Sequence, residues 1–445
     1  MDLSTFLPDF GSASLTLIAF IVAISIIVAV HEYGHYIVGR WSGIHAEVFS
    51  LGFGRVLWSR VDRHGTRWQI AALPFGGYVK FMGDADAASG KDGEVMSGLS
   101  DAERRRTMHG APLWARAATV AAGPMFNFIM SVLVFAGFFW INGIATDDPV
   151  VGEVKDLPGI ADALQPGDRI LAVAGQETPD LARFLEVVRD LPPATSTEYR
   201  VARSGAEQVV QGPYPFPPLV DSVQPISAAA DAGVQPGDYI RAINGQPVMA
   251  FGDMPAMVEA TGGKPAVLTV EREGAQIDLN IIPQRRDLPL PEGGFETRWL
   301  LGLNGGLVFV PATRSAGPFE GIQLGVQQLG AVVSTSLSGL WHMVTGGISH
   351  CNLQGPVGIA RASGAAASMG GESFIWFIAM LSAAVGLMNL FPIPVLDGGH
   401  LVFHAYEAVT GKPPSDGAMR VLMTVGLSLL LGLMVFGLGN DLIFC

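Results

Sequence analysis

The chain has 445 residues, a formal net charge of −13 and only 15% charged residues, and its mean hydropathy is +0.38. Ordinary globular chains carry roughly 25% charged residues, so the composition indicates a membrane protein. The acidic balance argues against nucleic acid as a partner, because such a partner needs a basic surface. Cys351 and Cys445 allow one disulfide bridge but no cysteine-rich metal site.

Four uncharged stretches are long enough to cross a bilayer. The first runs from Phe10 to Val30, and at 1.5 Å per residue it covers about 30 Å, the thickness of a bilayer core. Residues 322–344 also lack charge, but their glutamines and hydroxyl residues favour a helix that lies in the membrane interface. The sequence therefore predicts membrane helices over about 10–36, 115–144, 373–393 and 419–440.

Positive charge sets the expected orientation. Residues 40–116 contain eleven Lys and Arg, whereas residues 1–30 contain none. The positive-inside rule then places residues 40–116 in the cytoplasm. Both termini and residues 147–320 are expected outside, with His31 and His35 near the cytoplasmic end of the first helix.

Residues 147–285 have short β-like runs and an internal repeat. GIADALQPGDRILAVAGQ (159–176) matches SAAADAGVQPGDYIRAINGQ (227–246), and the two QPGD motifs are 70 residues apart. This period is too long for a solenoid and suits two tandem domains, 147–214 and 215–285. The pattern resembles PDZ domains, which bind extended peptides along a sheet edge. A pair of spacer domains that binds nothing is the alternative.

The motif HEYGH occupies residues 31–35, at the end of the first apolar run. On a helix His31 and His35 share one face, so both imidazoles can reach one zinc ion. Glu32 lies beside them and can take a proton from a metal-bound water, because zinc lowers the pKa of that water to about 7. Ionisable residues in a membrane are by default functional, which favours this interpretation over two polar histidines at a helix end.

A catalytic zinc usually has three protein ligands and one open position, so a third ligand is required. The third predicted span ends in MNLFPIPVLDGGH (388–400), where two prolines break the helix at the matching depth. Asp397 is therefore the candidate third ligand. A turn residue in LDGG is the alternative for Asp397, and His400 and His404 are rival ligands.

Two motifs together resemble the site-2 protease family of intramembrane zinc metalloproteases: HEYGH, and N-x-x-P-x-P-x-x-D-G from Asn389 to Gly398. The PDZ-like pair between the second and third spans is similar to the regulator-of-sigma-E protease branch, which implies a bacterial inner-membrane enzyme. The resemblance covers nearly the whole chain. It implies that His31, His35 and Asp397 are zinc ligands. It also implies that Glu32 is the general base and that Asn389 binds substrate.

Two further segments are interpreted through the same resemblance. Residues 45–82 read as a β-hairpin with a turn at DRHG (62–65), and in the family a comparable sheet dips into the membrane beside the site. Its free edge would pair with an unwound substrate segment; an ordinary cytoplasmic hairpin is the alternative. GPMFN (123–127) also resembles a family motif, in which Asn127 either helps to bind substrate or serves helix packing.

These features predict a polytopic α-helical membrane protein with four transmembrane helices, a membrane-associated β-hairpin and two extracytoplasmic α+β PDZ-like domains. The predicted function is zinc-dependent intramembrane cleavage of single-pass membrane proteins, such as anti-sigma-factor-like proteins or signal-peptide remnants, after their outer part has been trimmed. The alternatives are a non-enzymatic zinc-bearing scaffold that captures peptides and, ranked last, a transporter, which would have repeated spans. The expected domains are 1–146, 147–214, 215–285, a linker with the interfacial helix over 286–350, and a C-terminal membrane part over 351–445.

Overall fold

The computed structural model describes residues 10–84, 98–158, 163–224, 226–290 and 294–444. Residues 159–162 of the first repeat motif lie outside the described residues. Cys445 does too, so its possible pairing with Cys351 is not described. The chain divides into two units. The membrane unit comprises Met1–Gly137, Phe319–Trp341 and Leu353–Cys445, and the repeat unit comprises Phe138–Pro318 and His342–Asn352.

The first five elements are α1 (Phe10–Trp41), β1 (Ala46–Val61), β2 (Arg67–Phe81), α2 (Asp101–Arg104) and α3 (Leu113–Asn142). Helix α1 runs five residues beyond the predicted end at 36, because no proline interrupts it. Gly39 does not break the helix, and its lack of a side chain lets α1 pack closely: a Cβ there would lie 2.7 Å from the Phe81 ring. His31 and His35 therefore lie inside α1 rather than at its last turn.

Strands β1 and β2 form a sheet whose strands bend back on themselves. They pair antiparallel, with Ala46 opposite Phe81 at one end and Val61 opposite Arg67 at the other. Glycines 52 and 54 have φ of +88° and +83°, which lets β1 bend between the two paired regions. The bend also brings together two short segments that run in the same direction. Phe49, Ser50 and Leu51 lie beside Trp68, Gln69 and Ile70, respectively.

The repeat unit contains two copies of one arrangement. The first copy follows β3 (Ile144–Ala145) and has β4 (Val151–Val154), β5 (Arg169–Val173), β6 (Gln176–Glu177), α4 (Leu181–Asp190), β7 (Thr197–Arg203) and β8 (Ala206–Gly212). The second copy has β9 (Val220–Val223), α5 (Ala228–Asp231), β10 (Tyr239–Ile243), β11 (Gln246–Pro247), α6 (Met254–Ala260), β12 (Ala266–Arg272) and β13 (Ala275–Ile281). The four-stranded sheets have the matching orders β6-β5-β7-β8 and β11-β10-β12-β13.

The aspartate of each QPGD motif holds its repeat together. Asp168 is buried and accepts two hydrogen bonds of 2.7 Å from the Arg203 guanidinium on β7. Asp238 is equally buried and bonds Arg272 on β12 in the same way, at 2.6 and 2.8 Å. Bidentate pairs of this kind are strong and directional. The repeated motif is therefore a structural clamp in both copies.

The chain after the second repeat returns to both repeats. It forms β14 (Gln284–Pro289), β15 (Phe295–Leu300), β16 (Leu303–Gly305), β17 (Phe309–Pro311) and β18 (Thr313–Arg314). Strand β16 pairs with β9 of the second repeat, β17 with β4 of the first, and β18 with β3. Phe309 is buried against Phe184 of α4, with ring centroids 5.6 Å apart. Residues 303–311 thus pair with the first strand of each repeat, in two-stranded sheets that are separate from the four-stranded ones.

The last five helices are α7 (Pro318–Val344), α8 (Pro356–Ser368), α9 (Gly371–Asn389), α10 (Asp397–Thr410) and α11 (Asp416–Gly439). The sequence did not predict α8 or α10. Helix α8 is short and rich in small residues, and it packs against α1 so closely that a Cβ on Gly364 would overlap Thr16 Oγ1. Helix α10 follows the prolines that were expected only to end the third span.

Among the residues that the structure describes, four helices are long and apolar enough to cross a membrane: Ala13–Trp41, Leu113–Asn142, Gly371–Asn389 and Gly417–Ile443. These match the four predicted spans, and α7 is not among them. The predicted class, a polytopic α-helical membrane protein with β-domains, is confirmed. The interfacial position of α7 and the PDZ-like identity of the repeats stay predictions.

Candidate metal centre

Three ligand atoms from distant parts of the chain meet in the membrane unit. His31 Nε2 lies 3.2 Å from His35 Nε2 and 3.1 Å from Asp397 Oδ2, and His35 Nε2 lies 3.5 Å from the same oxygen. Ligands bound at about 2.0–2.1 Å around a tetrahedral zinc are about 3.3 Å apart. The triangle therefore has the dimensions of three corners of a zinc tetrahedron. Among the described residues, this is the one group of three His, Cys, Asp or Glu close enough to hold a metal.

The histidines meet α3 where both helices carry glycine. A Cβ on Gly123 would overlap His35 Nε2 and lie 2.8 Å from His31 Cε1. A Cβ on Gly34 would lie 2.5 Å from the carbonyl oxygen of Ala122. Small residues at such crossings let membrane helices approach closely. The glycine of GPMFN therefore makes room for both imidazoles.

The outer nitrogens of both imidazoles face α3. His35 Nδ1 lies 2.8 Å from the carbonyl oxygen of Thr119, which can only accept, so Nδ1 carries the proton and Nε2 presents its lone pair to the centre. His31 Nδ1 lies 3.2 Å from the side-chain amide of Asn127. Partners of this kind fix the orientation of metal-binding histidines.

Asp397 is the first residue of α10, not a turn residue at the end of a span. Glycines 398 and 399 let the preceding loop fold onto the first turn, since a Cβ on either would overlap a loop carbonyl. Farther along α10, Glu407 receives two hydrogen bonds, of 3.0 and 2.6 Å, from Arg116 at the start of α3. The ion pair ties the helix that carries Asp397 to the helix that supports the histidines.

The carboxylate of Asp397 fits a metal ligand by its surroundings. Its Oδ2 is buried and faces His31 Nε2 at 3.1 Å and His35 Nε2 at 3.5 Å, so a cation held among these three atoms would offset the cost of burying the charge. Two imidazole nitrogens and one anionic oxygen are a donor set that zinc prefers. The residues present therefore fit zinc.

Glu32 lies on the side of α1 that faces β2. The backbone N–H of Val79 interacts with its carboxylate, and Gly77 lets the strand come this close, since a Cβ there would lie 3.2 Å from Glu32 Cγ. Glu32 is thus next to His31 in the chain and held by a neighbouring strand. The arrangement allows it to act on a water or a peptide brought to the centre.

The other sequence candidates lie at different distances from the centre. Asn389 is the half-buried last residue of α9, eight residues before Asp397, and its role in substrate binding stays a prediction. His400 and His404 lie along α10 and are not part of the three-residue group. Asn127 contacts His31, which neither sequence interpretation of Asn127 anticipated.

Sequence reasoning missed the residues that support the centre. Thr119 acts through its carbonyl, which no sequence pattern marks. Gly123 and Asn127 share one face of α3 because they are four residues apart, and an asparagine in an apolar helix is a signal that could have linked this face to the site. The Arg116–Glu407 pair joins residues 291 apart in sequence, so only the folded chain identifies it.

Comparisons with known proteins agree with this chemistry. The family model described as Peptidase family M50 matches residues 19–433. A protein of Agrobacterium fabrum named as a zinc metalloprotease is 37% identical over 99% of both chains. The regulator of sigma-E protease of Escherichia coli is 33% identical over 96% of this chain and 98% of its own. The similarity thus extends over both units.

Proposed function

The chain belongs to peptidase family M50, a family of zinc metalloproteases, and on that premise we propose that it cleaves single-pass membrane proteins within the bilayer. The observation that carries the proposal is the cluster of His31, His35 and Asp397, with Glu32 beside it. His31, His35 and Glu32 lie in one of the four helices long and apolar enough to cross a membrane. A hydrolytic centre at that depth acts on peptide bonds of membrane-embedded segments.

Each residue of the centre has a separate task in this proposal. His31, His35 and Asp397 would hold zinc, which when bound supplies a Lewis acid and makes hydroxide available near neutral pH. Glu32 would accept the proton of the attacking water and deliver it to the leaving amine, as a general base and then a general acid. The N–H of Val79 on β2 would help to orient the Glu32 carboxylate for both transfers.

The strand next to Glu32 suggests how substrate is presented. A helical substrate hides its amide groups in its own hydrogen bonds, so cleavage requires an unwound segment whose backbone is satisfied by other partners. Segment 77–81 of β2 pairs with β1 on one side, and the Val79 N–H interacts with Glu32 on the other. An extended substrate added along that edge would lie at the base. Asn389 would contact the substrate backbone, as the family resemblance implies.

The repeat unit would act as a size filter for substrates whose outer part another protease has trimmed. Strands β4 and β9 each pair with a strand of segment 303–311, so this chain already fills edges along which a peptide could add. That favours obstruction by bulk over peptide capture, and it counts against the scaffold alternative. The cytoplasmic-side position of the centre and the outside position of the repeats rest on the charge pattern alone.

Replacing one oxygen of the proposed base tests the function. In membranes that contain Glu32→Gln, zinc content should equal wild type, and truncated single-pass proteins should accumulate, because loss of a general base lowers rates by about 10² to 10⁴. The control is Glu372→Gln, which alters an exposed glutamate in the first turn of α9 and should cleave normally. Cleavage at the wild-type rate by Glu32→Gln would refute the assignment of the base.

A further inference from the structure

We infer that Asn127 selects the tautomer of His31: with zinc bound, its amide oxygen accepts a hydrogen bond from His31 Nδ1–H, so that Nε2 presents its lone pair to the metal. The inference rests on the proposed role of His31 as a ligand. It makes Asn127 a positioning residue for the centre, which neither substrate binding nor helix packing requires.

The contact in the structure is between two nitrogens. The Asn127 amide nitrogen lies 3.2 Å from His31 Nδ1, and an amide nitrogen can only donate. In this orientation Nδ1 is the acceptor, so the proton lies on Nε2, which points at Asp397 Oδ2 at 3.1 Å. A protonated nitrogen cannot bind zinc, so this orientation of the amide does not let His31 act as a ligand.

Rotating the amide by 180° gives the pattern that a metal requires. The oxygen and nitrogen of an asparagine amide exchange places in such a rotation, and their assignment depends on the hydrogen-bond network. Asn127 is fully buried and its Oδ1 has no hydrogen-bond partner as oriented, which is costly. Facing His31, the same oxygen would accept the Nδ1 proton. One rotation thus gives the buried Asn127 Oδ1 a hydrogen bond and leaves the lone pair of His31 Nε2 available to the metal.

The two histidines differ in how firmly their tautomers are fixed. His35 faces the Thr119 carbonyl at 2.8 Å, a backbone group that only accepts and cannot rotate away. His31 faces a side chain that either donates or accepts. Of the two imidazoles, His31 therefore depends on a side chain that mutation can change, and Asn127 is that side chain.

The backbone of Asn127 is held in place, so only the orientation of its side-chain amide can change. Its carbonyl oxygen accepts hydrogen bonds from Ser131 at 2.9 Å and from Ser382 of α9 at 3.1 Å. A Cβ on Gly386 of α9 would lie 3.2 Å from Asn127 Cβ. Helix α9 thus packs against the turn of α3 that carries Asn127. Substitutions that keep the size of residue 127 should leave the packing intact.

The test measures zinc affinity of the full-length purified protein by competition with a chromogenic chelator. Asn127→Leu removes the acceptor at similar volume and should weaken zinc binding by about 10- to 100-fold, the usual effect of losing such a partner. Asn127→Asp can only accept, so it should bind zinc at least as tightly as wild type. The control Ser363→Ala alters a buried hydroxyl that bonds within α8 and should have no effect.

The two variants give opposite results only if the acceptor matters. Wild-type zinc affinity in Asn127→Leu would overturn the inference, and so would Asn127→Asp binding as weakly as Asn127→Leu. Thermal unfolding without metal shows whether Asn127→Leu folds. If it does not fold, Asn127→Asp still tests the inference, because zinc binding tenfold weaker than wild type by Asn127→Asp would overturn it. His31→Ala serves as the reference. Unchanged affinity there would mean that the ligand assignment itself is wrong.

Discussion

The membrane unit and the repeat unit both bury aspartates, and the two kinds of burial differ. In the repeat unit, both oxygens of Asp168 accept hydrogen bonds from Arg203, and the Gln165 N–H adds a third. In the membrane unit, the partners of the buried Asp397 Oδ2 are two imidazole nitrogens, at 3.1 and 3.5 Å. The first carboxylate is paired with a guanidinium within the protein, whereas the second belongs to a set of ligand atoms that fits a cation.

This difference separates a structural carboxylate from a functional one. A buried charge with a full set of partners stabilises the element that carries it, and removing one partner is strongly destabilising. A buried carboxylate without such partners adds little to stability and is retained for another reason. Since both aspartates come from short motifs that stand out in the sequence, only their partners in the fold distinguish them.

The comparison predicts opposite outcomes for matched substitutions, and these are the largest expected effects. Asp397→Asn should reduce zinc affinity roughly a thousandfold, as expected for loss of one ligand of a tight site, and leave thermal unfolding of the metal-free protein unchanged. Asp168→Asn should leave zinc affinity unchanged and destabilise the first repeat by about 3 kcal/mol. Chelator competition and hydrogen exchange measure the two properties. Equal effects of both variants on either property would contradict the distinction.

A second prediction concerns the space that α3 leaves for the imidazoles. Gly123→Ala places a methyl group against His35 and His31, and such overpacking costs about 2 to 3 kcal/mol, or roughly a hundredfold in zinc affinity. Gly137→Ala on the same helix meets no atom within 4 Å and is the matched control. Normal zinc binding by Gly123→Ala would show that α1 and α3 separate easily at the centre.

The smallest expected effect concerns acid and the clamp of the first repeat. Burial raises the pKa of the Asp168 carboxyl, but the Arg203 and Gln165 hydrogen bonds outweigh burial and hold this pKa below its ordinary value. The clamp should therefore stabilise the repeat above about pH 4 and lose its contribution as the pH falls through the lowered pKa. Arg203→Met leaves the buried carboxylate with fewer hydrogen bonds and should cost about 1 to 3 kcal/mol at neutral pH.

Hydrogen exchange of β5 and β7, corrected for the intrinsic effect of pH, measures both properties of the clamp. The control is Arg200→Met on the same strand, because Arg200 pairs with the exposed Glu177, and such pairs contribute less than about 1 kcal/mol. Arg200→Met should also keep the acid transition of the wild type. Equal loss of protection in both arginine variants would contradict the clamp.

Much of the fold could be predicted from local sequence. The four spans are uncharged for long enough to be recognised one by one, and HEYGH needs only helical spacing to bring His31 and His35 onto one face. The repeat is visible as QPGD in two places. Helices α8 and α10 could not be predicted, because they are short and their stability depends on packing against other helices.

The sequence by itself determined the spans, the tandem repeat and the nature of the chemistry, because these depend on hydropathy, periodicity and residue type within short windows. The tertiary structure decided the rest. It brought Asp397 to His31 across 366 residues, aimed the Asn127 amide at His31 Nδ1, and closed the edges of both repeats with residues 303–311. Such contacts depend on how helices and strands pack, and residues far apart in the chain leave no local signal of where they meet.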